Sequence, residues 1–76
     1  MTISEIIEGY IVLKKEITAA SFEKMARVAQ RRHEIFHTAS SYERVFRMMI
    51  GDGKIRPKQA GWKHADNGGR YKCWVF

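Results

Sequence analysis

Residues 40–55 read Ser40-Ser-Tyr-Glu-Arg-Val-Phe-Arg-Met-Met-Ile-Gly-Asp-Gly-Lys-Ile55, and the reading of this stretch decides the fold. Tyr42, Val45, Phe46, Met49 and Ile50 recur at three- and four-residue spacing, which places all five on one stripe of an α-helix. Ser40 followed three residues later by Glu43 has the form of a capping box, in which hydroxyl and carboxylate satisfy two orphan backbone N–H groups. Gly51 and Gly53 supply residues able to take positive φ where a helix stops. The face opposite the apolar stripe carries Ser41, Arg44, Arg47 and Met48. Such a helix can be buried on one side and read a partner with the other. Equally, its arginines can do no more than solvate an amphipathic core helix.

Upstream, Thr2-x-x-Glu5 is a second capping box and opens a first helix to about Glu16. Ile3, Ile7, Tyr10 and Ile11 share a face there, flanked by Ile6 and Leu13, although Gly9 costs about 1 kcal/mol relative to alanine. Ile17-Thr18 reads as a short extended link, with room for one β-bridge, before Thr18 or Ser21 caps a second helix. Phe22, Met25, Ala26 and Ala29 form the apolar stripe of that helix, with Lys24, Arg27, Gln30 and Arg31 largely outside it. The segment 31–39 allows two outcomes. Either the second helix runs on to Phe36, or the chain turns earlier and Ile35 and Phe36 plug the corner.

Downstream the pattern changes. Lys54-Ile-Arg-Pro-Lys, Gly61-Trp-Lys-His, the Asp66-Asn-Gly-Gly turn and Arg70-Tyr-Lys-Cys-Trp-Val-Phe76 carry the aromatic and β-branched residues of a hairpin. Alternation along the last strand sends Tyr71, Cys73 and Val75 one way and Arg70, Lys72, Trp74 and Phe76 the other. The fold class expected is α+β, in one domain spanning residues 1–76.

A chain of 76 residues buries only about 60% of its unfolded surface, so its core is small. Hydrophobic content of 45% and aromatic content of 12% still favour a folded domain over a disordered tail. The single cysteine, Cys73, excludes an intrachain disulfide and points to a reducing, cytoplasmic setting. Nothing in the sequence reads as a signal peptide, and the apolar run Tyr10–Leu13 is far too short to span a bilayer, so no membrane partner is expected. Charge is unevenly placed. Residues 1–23 set Lys14 and Lys15 against four glutamates, a net of −2, whereas residues 24–76 carry +8 of the overall +6. A basic excess confined to two thirds of a small domain suggests an anionic partner, most often nucleic acid.

Helix, short extended link, helix, turn, helix and hairpin is the order of the winged helix-turn-helix family. Ile17-Thr-Ala-Ala-Ser-Phe-Glu-Lys-Met-Ala resembles the lead into that family's second helix, and residues 40–55 resemble its recognition helix running into the wing. The resemblance covers roughly residues 3–76, and the chain looks similar to the short stand-alone members frequent among phage, prophage and plasmid regulators. It implies a three-helix winged helix-turn-helix with a C-terminal two-stranded β-hairpin wing, binding double-stranded DNA as a non-enzymatic, nucleoid-associated regulator or architectural factor without a cofactor. Carried onto this chain, the base-reading positions are Ser40, Ser41, Arg44 and Arg47, and the wing and backbone contacts are Lys54, Arg56, Lys63, Asn67, Arg70 and Lys72. The turn between helices two and three looks longer than the family's. Arginine suits base reading because its planar fork matches guanine O6 and N7, while lysines and arginines of the hairpin supply sequence-independent attraction to phosphate. The sequence leaves open a homodimer or a protein partner. A rival reading is an adaptor that docks a protein through the basic face or the Trp74/Phe76 strand.

His33-Glu-Ile-Phe-His37 matches H-E-x-x-H, which on a helix would place two histidines beside one Zn²⁺ with the glutamate as general base. A catalytic site also needs a third ligand and a cleft, and the motif falls where the chain has to turn, so no enzyme and no metal are expected. A structural zinc on His33, His37, His64 and Cys73 fits no standard spacing. Trp62 and Trp74 read most simply as a seal of the wing against helix three, with base stacking as the sharper alternative. Cys73 reads as a small buried hydrophobe.

Overall fold

The computed structural model describes residues 1–57 and 71–75. The chain is α+β, with α1 (Ile3–Lys14), β1 (Glu16–Ile17), α2 (Ala19–His33), α3 (Ala39–Gly51), β2 (Ile55–Pro57) and β3 (Tyr71–Val75). The three strands form an antiparallel sheet in the order β1-β3-β2.

The Thr2 capping box forms as expected. Thr2 Oγ1 accepts from the Glu5 N–H at 3.3 Å, and the Thr2 N–H donates to Glu5 Oε1 at 3.0 Å. The helix stops at Lys14, two residues short of the expected Glu16, because Lys15 enters the left-handed region at φ 58°. That reversal frees Glu16 and Ile17 to pair with Lys72 and Tyr71, and the Lys15 carbonyl accepts from the Cys73 N–H at 3.1 Å. The extended link is thus a true edge strand, and the sheet has three strands where two were expected. Of the two candidate caps for α2, Thr18 holds the N-cap position. Ser21 answers it from inside the helix. Its buried Oγ accepts from the Thr18 N–H at 2.8 Å and from the Tyr10 hydroxyl at 3.2 Å, and shares a third bond with Thr18 Oγ1 at 3.1 Å, so the polar group is satisfied.

The chain turns early after α2. Glu34 takes φ 53°, and the Ile35 N–H reaches back six residues to the Ala29 carbonyl at 3.2 Å, the Schellman pattern. Ile35 packs against the core, but Phe36 is 72% exposed and plugs nothing. Thr38 is the N-cap of α3, so the Ser40/Glu43 capping box is not formed. The cause is the register. Starting two residues sooner packs Ala39 against the core, makes Ser40 the second helical residue, and leaves Glu43 one turn from Arg47, with which it pairs. At the other end Gly53, at φ 77°, turns the chain into β2. Pro57 lies on β2, an edge strand, where its missing N–H costs least.

The core joins Ile7 and Ile11 of α1, Ile17 of β1, Phe22, Met25 and Ala29 of α2, Tyr42, Phe46 and Met49 of α3, Ile55 of β2 and Cys73 of β3. Val45 and Ile50 are partly buried against it, which completes the α3 stripe. Leu13, expected to flank the α1 stripe, is 76% exposed. The Phe22 and Phe46 rings meet tilted, with centroids 5.4 Å apart.

Two core groups carry consequences. The buried Tyr42 hydroxyl has no hydrogen-bond partner among the described residues. An unsatisfied buried donor costs about 1–3 kcal/mol, so Tyr42→Phe is expected to raise stability by about 1 kcal/mol in a urea melt. Burial pushes the Cys73 thiol up to about 11 and raises the Tyr42 hydroxyl as well. In the unfolded chain the thiol ionises near about 8.5. The unfolded state therefore releases its proton first, and stability is lost as pH rises through that window. Urea midpoints should fall between about pH 8.5 and about pH 10, and Cys73→Ala should flatten the fall.

Candidate nucleic-acid interface

A helix advances 100° per residue, so a position lies on the same line as its neighbours at four and seven residues. With Tyr42, Phe46 and Met49 turned inward, Ser40, Arg44 and Arg47 fall on one line on the solvent side of α3. All three are exposed. Ser41 stands to the side of that line and is half-buried. The line is about 10 Å long, roughly three base-pair steps of about 3.4 Å. A bare α-helix of this kind fits a major groove about 12 Å wide.

Arg44 makes no ion pair among the described residues. Arg47 is paired to Glu43 across one helical turn, with side-chain exposures of 46% and 35%. An exposed pair of this geometry is worth about 0.3–0.5 kcal/mol. It holds the Arg47 guanidinium along the helix at rest and releases it at small cost when a better acceptor is offered.

Lys54 lies in the turn after α3, its backbone N–H donating to the Met49 carbonyl at 2.9 Å while its side chain is exposed. In the sheet, Ile55 and Cys73 point into the core, so the alternate residues face outward. Arg56 stands opposite Trp74 in the β2–β3 register, and Lys72 lies two residues from Trp74 on the same outer face. Trp74 is 44% exposed and so does not seal the sheet against α3. Strand alternation had already put it with Lys72, and burial of the neighbouring Cys73 and Ile55 leaves it no core to enter. An exposed indole beside a guanidinium offers both a stacking surface and a cation.

Lys63, Asn67 and Arg70 lie outside the described residues, as do Trp62, His64 and the Asp66-Asn-Gly-Gly turn. The structure therefore brings together Ser40, Arg44 and Arg47 as one line, and Arg56, Lys72 and Trp74 as one sheet face. His33 ends α2 and Glu34 is left-handed, so His37 is not one turn further along the same helix and the H-E-x-x-H geometry is lost. No group of three or more metal-capable side chains occurs among the described residues. No helix among them is long and apolar enough to cross a membrane.

Lys24, Arg27 and Arg31, expected outside the apolar stripe of α2 but assigned to no site, form a basic face with Arg32. All four are exposed there, and with Lys14 of α1 they line a groove between the two helices. The signal was present in the three- and four-residue spacing of Lys24, Arg27 and Arg31. Comparison with protein-family models, with curated proteins and with solved structures returns no match for this chain.

Proposed function

We propose that this chain is a winged helix-turn-helix domain that binds double-stranded DNA sequence-selectively, as a small regulator or architectural factor of the phage or mobile-element type. The observation that carries the reading is the two-sided α3. Its apolar stripe is spent on the core, and Ser40, Arg44 and Arg47 are left in solvent on a single line of the length of three base pairs. The antiparallel order β1-β3-β2, with β1 drawn from the link between α1 and α2, supports the same fold. In this reading α3 enters the major groove, where the two guanidinium groups meet guanine edges and Ser40 meets phosphate or base. Lys54, Arg56 and Lys72 add backbone attraction that depends on salt rather than sequence.

The test is selection of bound duplexes from a randomised pool, followed by gel shifts on the recovered and unselected sequences at two salt concentrations. Recovery of a shared short motif, bound at least tenfold tighter than the unselected pool, is the expected result. Binding that is equal on all sequences removes base reading. No binding at low salt removes the function.

A further inference from the structure

Between α1 and α2 runs a groove of about 570 Å³, within the usual range for binding sites. Among the described residues its lining comes from those two helices, with none from α3 or the sheet. Its apolar lining includes Ile6, Tyr10, Leu13 and Val28. Leu13 is 76% and Val28 47% exposed, one on each wall. The charged lining among the described residues is of one sign: Lys14, Lys24, Arg27, Arg31 and Arg32, with no carboxylate beside them. None of these five cations is in an ion pair among the described residues.

We propose that this groove is a docking site for an acidic amphipathic helix of a partner protein. Its apolar side chains would cover Leu13 and Val28, and its carboxylates would meet the basic walls. Helix-in-groove recognition of this kind uses apolar anchors at three- and four-residue spacing to fill the floor, while charge sets orientation and partner choice. The five uncompensated cations determine the sign of the partner, and the two unpartnered aliphatic side chains determine that it is apolar on one face.

Other occupants fit less well. A nucleic acid would satisfy the cations but leave Leu13, Val28 and Ile6 uncovered. The one aromatic ring in the lining, Tyr10, has its hydroxyl tied to Ser21 at 3.2 Å. A bilayer is flat and would reach the rim of a concave groove without filling its floor. A second copy of the chain brings a net charge of +6 toward a surface that is already basic. The site is separate from the DNA face and stands whether or not α3 reads DNA.

The experiment uses the intact chain and a fluorescein-labelled synthetic peptide of about 14 residues, close to the length of α1. The peptide carries leucines at i, i+3, i+4 and i+7 and glutamate or aspartate at most other positions. Fluorescence anisotropy should show binding at about micromolar concentration. Leu13→Ser with Val28→Ser should weaken it about tenfold or more, and so should Lys24→Gln with Arg31→Gln. All four positions are exposed, so both double variants keep the wild-type circular dichroism, and Leu13→Ser with Val28→Ser, which changes no charge, also keeps the wild-type affinity for duplex DNA. A scrambled peptide of the same composition, with its apolar stripe broken, should bind at least tenfold more weakly. Equal binding of the scrambled peptide, or equal binding by the variants, overturns the proposal. Two further results would overturn it in favour of another occupant. One is binding to vesicles containing anionic lipid that the Leu13 and Val28 changes abolish without any peptide binding. The other is self-association in sedimentation that the same changes remove.

Discussion

Phe46→Ala should be among the most destabilising single substitutions in this domain. The Phe46 side chain is fully buried and its ring sits 5.4 Å from that of Phe22, so it joins α3 to α2 at the centre of the core. Deleting a buried phenylalanine side chain costs about 3–5 kcal/mol, through lost transfer energy and the cavity left behind. At the usual stability per residue, a domain of 76 residues holds about 4–11 kcal/mol in total. The substitution removes from about a quarter to all of that. A urea melt followed by circular dichroism should show the midpoint falling toward zero denaturant. Phe46→Leu fills more of the space and should remain folded at reduced stability. A loss under 1 kcal/mol for Phe46→Ala would mean that α3 is not anchored as described.

The second large effect concerns binding rather than folding. Arg44→Ala should weaken binding to a selected DNA site by about 1–3 kcal/mol, roughly 5- to 150-fold, and relax the preference at one base position. Arg44 is exposed and unpaired among the described residues, so its loss should leave the urea midpoint unchanged. Arg47→Ala should cost somewhat less, because the arginine must first leave Glu43. Glu43→Gln should accordingly tighten binding slightly by freeing the Arg47 guanidinium. Lys72→Ala, on the sheet, should weaken binding to every sequence alike and reduce the salt slope by about 1.

The periodicity of the sequence was enough to place the three helices and their buried faces. Hydrophobic spacing is a direct consequence of helical geometry, and Ile7, Ile11, Phe22, Met25, Tyr42, Phe46 and Met49 all went where it sent them. Helix ends were harder to read. Ser40-x-x-Glu43 and Thr38 compete to start α3, and the packing of Ala39 against the core, a tertiary contact, settles it for Thr38. The left-handed residues Lys15 and Glu34 carry no glycine or asparagine signal, which hid the end of α1 and the turn after α2. The third strand was barely legible because two residues, Glu16 and Ile17, carry too little pattern to show as a strand until β3 pairs with them.

The proposed site divides in the same way. Exposure of Arg44 and Arg47 followed from the position of the apolar stripe, since what is opposite a buried line on a helix is in solvent, whereas Ser41, expected on that face, is half-buried and Ser40 stands there instead. The Glu43–Arg47 pair followed from the four-residue spacing but was obscured by the capping role assigned to Glu43. The juxtaposition of Arg56 with Trp74 depends on the β2–β3 register, which local sequence does not specify. The α1–α2 groove depends on how two helices splay apart, a property of the packed structure and not of either helix alone.

The central claim is that the two guanidinium groups on the outer line of α3 read bases while the sheet cations supply general attraction. Its most direct test is the affinity of wild type, Arg44→Ala and Lys72→Ala for the selected site and for unselected duplex, each at two salt concentrations. The account predicts that Arg44→Ala lowers the ratio of specific to non-specific affinity and that Lys72→Ala leaves the ratio unchanged while flattening the salt dependence. Equal losses on both duplexes for Arg44→Ala would contradict it.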